Sequence, residues 1–162
     1  MPTARRTRTI AAPVDELWSI VSDPHHLPRW WPRVARVEDV AQGAFTEVMK
    51  TAKGKTVRAD FDVVEADEQQ RSLIWSQQVA GTPFGRLLRS AETEVRLADA
   101  RPAASLAAAT DEPQGRDAAT TVTIELRQAL SGFFPRFGAF IVRRAAAATI
   151  DEALEGLERI SA

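Results

Sequence analysis

The sequence predicts an α+β fold: about seven antiparallel strands in a meander, two short helices after the first strand, and one long helix at the C-terminal end. Three observations predict it. Apolar and polar residues alternate at period two in successive segments between residues 34 and 127, as strands with one dry and one wet face require. Pro13 and the pair Asp23-Pro24 are helix-start signals placed close together after the first strand candidate. Beyond residue 135 there is no further proline, and Ala, Leu, Glu and Arg dominate up to residue 160, which suits a helix of roughly 25 residues and about 40 Å.

Each element has its own justification. Residues 4–11 form the first strand candidate. Pro13 opens a short helix with Asp15 and Glu16 in its first turn, where carboxylates meet the positive end of the helix dipole. Its buried stripe is Val14, Leu17, Trp18 and Val21. Asp23 caps a second short helix with Pro24 at its first position, and Pro32 stops it by Trp31. Strands follow at 34–40, 45–51, 56–65 and 71–79, with Gly43, Gly54 and Gly81 in the turns. Segments 92–97 and 121–127 alternate in the same way on either side of residues 100–118, which are rich in Ala, Pro, Asp and Gly. They read as a hairpin with a long, disordered tip. In the last helix Val142, Ala146, Ile150, Ala153, Leu157 and Ile160 share a face, while Phe137, Phe140 and Ile141 lie nearly opposite. Its first half is therefore expected to be covered on two sides, by the sheet and by the short helices, or else to offer a partner surface or a ligand lid. Gly138 within it suggests a close approach to the helix backbone.

Composition narrows the function. A chain of 162 residues, 44% hydrophobic and 27% charged, fits one globular domain with a packed core. The net charge of −1 supplies no overall field for nucleic acid or an anionic membrane. With no cysteine, disulfides, zinc-thiolate sites and thiol nucleophiles are excluded, and no tyrosine is present to donate a phenolic proton. The two histidines, His25 and His26, sit at a helix start with no identifiable acid partner, so a solvated turn is expected there rather than a general base. No apolar run approaches a membrane span, and no secretory signal is evident, so a cytoplasmic location is expected.

The opening Ile10-Ala11-Ala12-Pro13-Val14-Asp15-Glu16-Leu17-Trp18, then Asp23-Pro24, then Pro28-Arg29-Trp30-Trp31-Pro32, together with the order of elements, resembles the START-like (SRPBCC, helix-grip) superfamily, in its polyketide cyclase/dehydrase branch. The resemblance covers nearly the whole chain, and its motifs specify fold more than function. It implies a helix-grip architecture, a curved sheet wrapped around the long C-terminal helix, with a cavity between them that holds lipids, polyketides or other apolar molecules. The long segment at 100–118 departs from the usual short turn at that hairpin.

That implication directs attention to the dry parity of each strand. If the apolar positions face the helix, the inner surface carries Phe45, Met49, Phe61 and Trp75. Polar residues on the same parity are the informative ones, because a buried polar group needs a partner. Glu47, Gln77 and Arg89 are the candidates. They either orient a ligand, or Glu47 and Arg89 form an internal ion pair, or the strand ends lie in solvent. Trp30 and Trp31 either line the cavity mouth or simply pack, and Phe137 and Ile141 are helix-side candidates. The expected function is binding of a hydrophobic, polyketide-like or lipid-like small molecule with no cofactor and no metal. The alternatives are a cyclase/dehydrase-type enzyme using acid/base groups in the same cavity, for which no catalytic constellation is recognisable, and a protein-partner module, such as a homodimer, built on the aromatic start of the last helix.

Overall fold

The computed structural model describes residues 2–100, 118–132 and 136–161, apart from the side chains of residues 136 and 137. Strand β1 (Thr3–Ile10) leads into helix α1 (Val14–Val21), a 3-10 turn (Pro24–His26) and the single-turn helix α2 (Leu27–Trp30). Strands β2 (Val34–Ala41), β3 (Ala44–Lys50), β4 (Thr56–Asp67), β5 (Ser72–Gln77), β6 (Leu88–Asp99) and β7 (Thr120–Leu130) follow, and helix α3 (Arg136–Ser161) ends the chain. A second 3-10 turn, Pro83–Arg86, precedes β6. The strands make one antiparallel sheet in the order β1-β7-β6-β5-β4-β3-β2. β1 crosses over to pair with β7, and the other neighbours are consecutive in sequence. This is the α+β helix-grip arrangement that the sequence predicts.

The second helix is shorter than its signals suggest. Asp23 accepts a hydrogen bond from the His25 backbone N–H at 3.0 Å, and Pro24 follows at the first position, but the turn it opens is 3-10. Helix α2 spans four residues before Pro32 intervenes. The β6–β7 hairpin is longer than residues 92–97 and 121–127 imply, running in register from Leu88 opposite Leu130 to Asp99 opposite Thr120, with an irregularity between Leu88 and Ser90. The predicted disordered tip at 100–118 lies almost wholly outside the described residues.

Alternation sorts the sheet into two faces. Val95, Val122 and Ile124 are fully buried on the inner face, in one core cluster with Ile150, Ala153 and Leu157 of α3. Outside, Arg127 gathers Glu92, Glu94 and Glu125 at 2.5 to 2.9 Å. Arg58 meets Glu38 at 2.5 Å, and Glu38 also pairs with Arg36 at 2.6 Å. Val48, opposite Arg36 and Arg58 in the register, is only 1% exposed despite its outward parity. The aliphatic stems of long cations account for such cover.

The two halves of α3 pack differently. Its C-terminal half is clamped to α2 at Gly156, where an added Cβ would collide with the Trp30 carbonyl oxygen. Gly156 is thus a place where the structure shows the helix backbone closely approached. The first half is not covered by the short helices, and Phe140 and Ile141 are each 51% exposed. On its sheet-facing side stand Val142, Ala145, Ala146 and Thr149. Side chains this small do not reach the sheet, and a hollow remains between them. No helix of the described residues is long and apolar enough to cross a membrane.

Candidate functional site

The hollow is an open-mouthed cavity of about 360 Å³ between the first half of α3 and the inner face of β3 to β7. Its walls are mostly apolar. β3 supplies Glu47 and Met49, β4 supplies Phe61, and β5 supplies Trp75 and Gln77, all inward at period two. Leu88, Ala91 and Thr93 come from β6, and Leu126, Gln128 and Leu130 from β7. Trp31, just past α2, closes one end and meets Trp75 edge to face at 5.7 Å.

Of the sequence-predicted residues, the structure brings together Trp31, Glu47, Met49, Phe61, Trp75 and Gln77. Phe45 lies just behind this wall. It stacks on Phe61 with centroids 5.2 Å apart, meets Trp75 edge on, and faces a second hollow of about 220 Å³ toward α1 and α2. Trp30 packs in the core at 2% exposure, with its indole N–H buried and lacking an acceptor among the described residues. Arg89 does not belong to the site. The irregularity between Leu88 and Ser90 breaks the alternation assumed from Ala91 backwards, so Leu88 turns in and Arg89 is exposed. Ile141 is also outside the lining, because the inward stripe of α3 runs through Val142, Ala145 and Thr149 instead. The Phe137 side chain lies outside the described residues.

Thr93 and Gln128 line the cavity and were not singled out from the sequence, although inner parity marks both: Thr93 alternates with Ala91 and Val95, and Gln128 follows Leu126. Ala145 and Thr149 carry no comparable signal. The histidines do not line the cavity. His25 and His26 are both within ion-pair distance of Asp23, at 2.9 and 3.8 Å. Burial works to raise the Asp23 carboxyl, but the His25 hydrogen bonds and the two imidazole charges hold it below its ordinary value.

Glu47 is the distinctive group. It is 2% exposed, and no described residue hydrogen-bonds to its carboxyl or pairs with it. The internal ion pair with Arg89 is therefore not formed. Burial alone pushes the Glu47 carboxyl up to about 8, so it is mostly protonated at neutral pH. A neutral carboxylic acid in an apolar cavity can donate one hydrogen bond and accept another, and it can take or give a proton. Gln77 adds a buried Nε2 with no acceptor among the described residues. No group of three or more acidic or histidine side chains among those residues is placed to hold a metal ion.

The sequence profile of the family described as "Polyketide cyclase / dehydrase and lipid transport" matches residues 1–161. Among curated proteins, none matches the sequence significantly. Solved structures share the fold. A START superfamily protein from Mycobacterium smegmatis superposes with a TM-score of 0.70 at 17% identity, covering 98% of this chain and 96% of its own. The di-domain ARO/CYC BexL of the BE-7585A biosynthetic pathway gives 0.72 at 20% identity, covering 98% of this chain and 46% of that one. A protein from Thermus thermophilus gives 0.64 at 22% identity, covering 98% of this chain and 95% of that one.

Proposed function

The chain belongs to the polyketide cyclase/dehydrase and lipid transport family, and on that premise we propose that it binds an apolar or aromatic small molecule, polyketide-like or lipid-like, in the cavity between the sheet and α3. The observation that carries this reading is the cavity itself: about 360 Å³, walled by Trp31, Met49, Phe61, Trp75 and Leu126, with few polar groups. That volume lies within the range of small-molecule sites, and a few placed polar groups in an apolar wall are what orient such ligands.

The test is a thermal-shift screen of hydrophobic aromatic compounds on the purified protein, with native mass spectrometry to detect a co-purified ligand. A ligand at about 100 times its dissociation constant adds about 2.7 kcal/mol of stability. Ala145→Phe should fill the cavity from the helix side and weaken any hit at least about tenfold, by about 1.4 kcal/mol, while the protein stays folded. Undiminished binding by that variant would place the ligand elsewhere and overturn the reading.

One observation favours a catalytic role in the same cavity. The raised Glu47 carboxyl is suited to general acid/base work on a bound polyketide. Under that reading Glu47→Gln abolishes turnover while affinity is largely kept. Under pure binding no compound is converted by the wild type.

A further inference from the structure

The net charge of −1 is the sum of two unlike ends of the molecule. The register places the starts of β2, β4 and β6 and the ends of β3, β5 and β7 at one end of the sheet, where Leu87, Leu88, Leu130 and Val142 line the cavity. Three stretches of chain meet there: the β3–β4 turn, the connection from β5 into β6, and the end of β7 with the first half of α3. Residues 48–59, 78–91 and 126–150, which span them, contain no aspartate or glutamate. They carry the exposed cations Lys53, Lys55, Arg86, Arg89, Arg143 and Arg144, none of which has a carboxylate partner among the described residues. The opposite end, at the β4–β5 turn and the start of α1, gathers Asp15, Glu16, Asp67 and Glu68, of which Arg71 pairs with Asp15 and Glu68. Along α3 the change comes rung by rung. Glu158 pairs with Arg8 at 4.0 Å and Asp151 with Arg6 at 3.5 Å. About two turns nearer the cavity mouth, α3 presents Arg144 and Arg143 instead, in a groove against β1 that holds no acid.

Large apolar side chains stand at the same end. Leu87 lines the cavity and is 58% exposed, and Phe140 and Ile141, each 51% exposed, lie just ahead of Val142, which also lines it. Exposed cations beside exposed bulky apolar groups suit an interface with lipid: the cations meet phosphates, and the apolar side chains enter the headgroup region. We propose that the cavity-mouth end, from Lys53 and Lys55 through Arg86 and Arg89 to Arg143 and Arg144, docks on an anionic lipid surface, with Leu87, Phe140 and Ile141 inserted and the mouth turned toward the bilayer. The cations come from three separate stretches with no acid among them, which matches a surface of diffuse negative charge better than the mixed charges of a folded protein partner. The docking face stands apart from the ligand reading, since vesicle binding is measured with no ligand present.

Sedimentation of the full chain with vesicles tests it, using phosphatidylcholine alone and phosphatidylcholine with about 30% phosphatidylglycerol. At about 0.1 M salt the chain is expected to bind the anionic vesicles at least about tenfold better than the neutral ones, and about 0.5 M salt should release it. Arg144→Glu should weaken anionic-vesicle binding at least about tenfold, since each cation near such a surface contributes about fivefold. Arg159→Glu makes the same change of net charge at an exposed position in the last turn of α3, about 22 Å farther along the helix, and should leave binding within about twofold. The chain has no cysteine, so Ile141→Cys and Val64→Cys each take one environment-sensitive fluorophore. The label at 141 should shift to the blue on anionic vesicles, and the label at 64, on β4 and 60% exposed, should not. Should a variant fold poorly, the wild-type dependence on lipid charge and salt decides alone. Equal binding to both vesicle types, binding that survives high salt, equal effects of the two arginine reversals, or no binding at all overturns the proposal and leaves the apolar-ligand reading intact. So does Arg144-dependent binding to poly-glutamate without a shift at 141 on vesicles, which assigns the face to an acidic protein instead.

Discussion

Glu47 and Glu94 stand on opposite faces of the same sheet, 2% and 7% exposed, and their surroundings drive them to opposite charge states. Burial pushes both carboxyls up. At Glu94 the guanidinium of Arg127, 2.7 Å away, together with that of Arg96, more than offsets burial and holds the carboxyl below its ordinary value. At Glu47 nothing offsets it, and the group keeps its proton. Burial depth alone does not separate a structural acid from a candidate functional one. The partner does, and a carboxyl without one inside a cavity is disposed to interact with whatever enters.

The largest test of this contrast removes the partner. Arg127→Met leaves Glu92, Glu94 and Glu125 clustered without the cation at their centre. A loss of about 3 kcal/mol is expected near neutral pH by urea denaturation. It should narrow as the carboxylates protonate in acid. If the loss does not narrow, packing by the arginine stem rather than charge holds this face together.

Glu47→Gln comes next and should stabilise. The folded state holds the Glu47 proton up to about 8, whereas the ordinary value is 4.5, so between these limits the folded chain binds more protons than the unfolded one. Wild-type stability from this group is complete below about 4.5, declines as pH rises through the window, and is gone above 8. The variant lacks that decline. Its advantage is expected to grow through the window to about 2 kcal/mol by about pH 9, less than the full shift implies because an open cavity lets water reach the ion. A constant difference across pH would mean that Glu47 is solvated or paired.

Glu94→Gln should behave in the opposite sense. Its lowered carboxyl contributes stability that is present above the ordinary range and lost as pH falls through the lowered value. Chemical denaturation across pH should show a loss of about 1 kcal/mol at neutral pH that fades in acid. Parallel pH profiles for the two Glu→Gln variants would erase the distinction between the two faces.

The fold was legible because its signals are local. Alternation marks the strands, while Asp23-Pro24 and Pro32 bracket the short helices. On β3 to β5 the same alternation is regular enough that the inner parity places Glu47, Met49, Phe61, Trp75 and Gln77 along one cavity. Legibility ended where tertiary geometry decides. The irregularity beside Arg89 reverses its side without a residue to announce it, and Ile141 lies half exposed on α3, whose tight contact with α2 at Gly156 is over a dozen residues away. Ala145 and Thr149 read as helix filler, yet their small size leaves the room for a ligand.

Gln77 and Gln78 repeat the contrast between the two acids on a smaller scale. Gln78 donates from Nε2 to Asp62 Oδ2 at 3.0 Å on the outer face, whereas Gln77, one residue earlier and turned inward, has its Nε2 buried without an acceptor among the described residues. An unsatisfied buried donor is a standing cost, so Gln77→Leu, close in volume, should raise stability by about 0.5 to 1 kcal/mol, seen as a melting shift of a few degrees. The same change should weaken a hydrogen-bond-accepting ligand more than its hydrocarbon analogue, because the donor lost has no acceptor among the described residues. A variant less stable than wild type would show that Gln77 already has a partner, a bound water in the cavity being the first candidate.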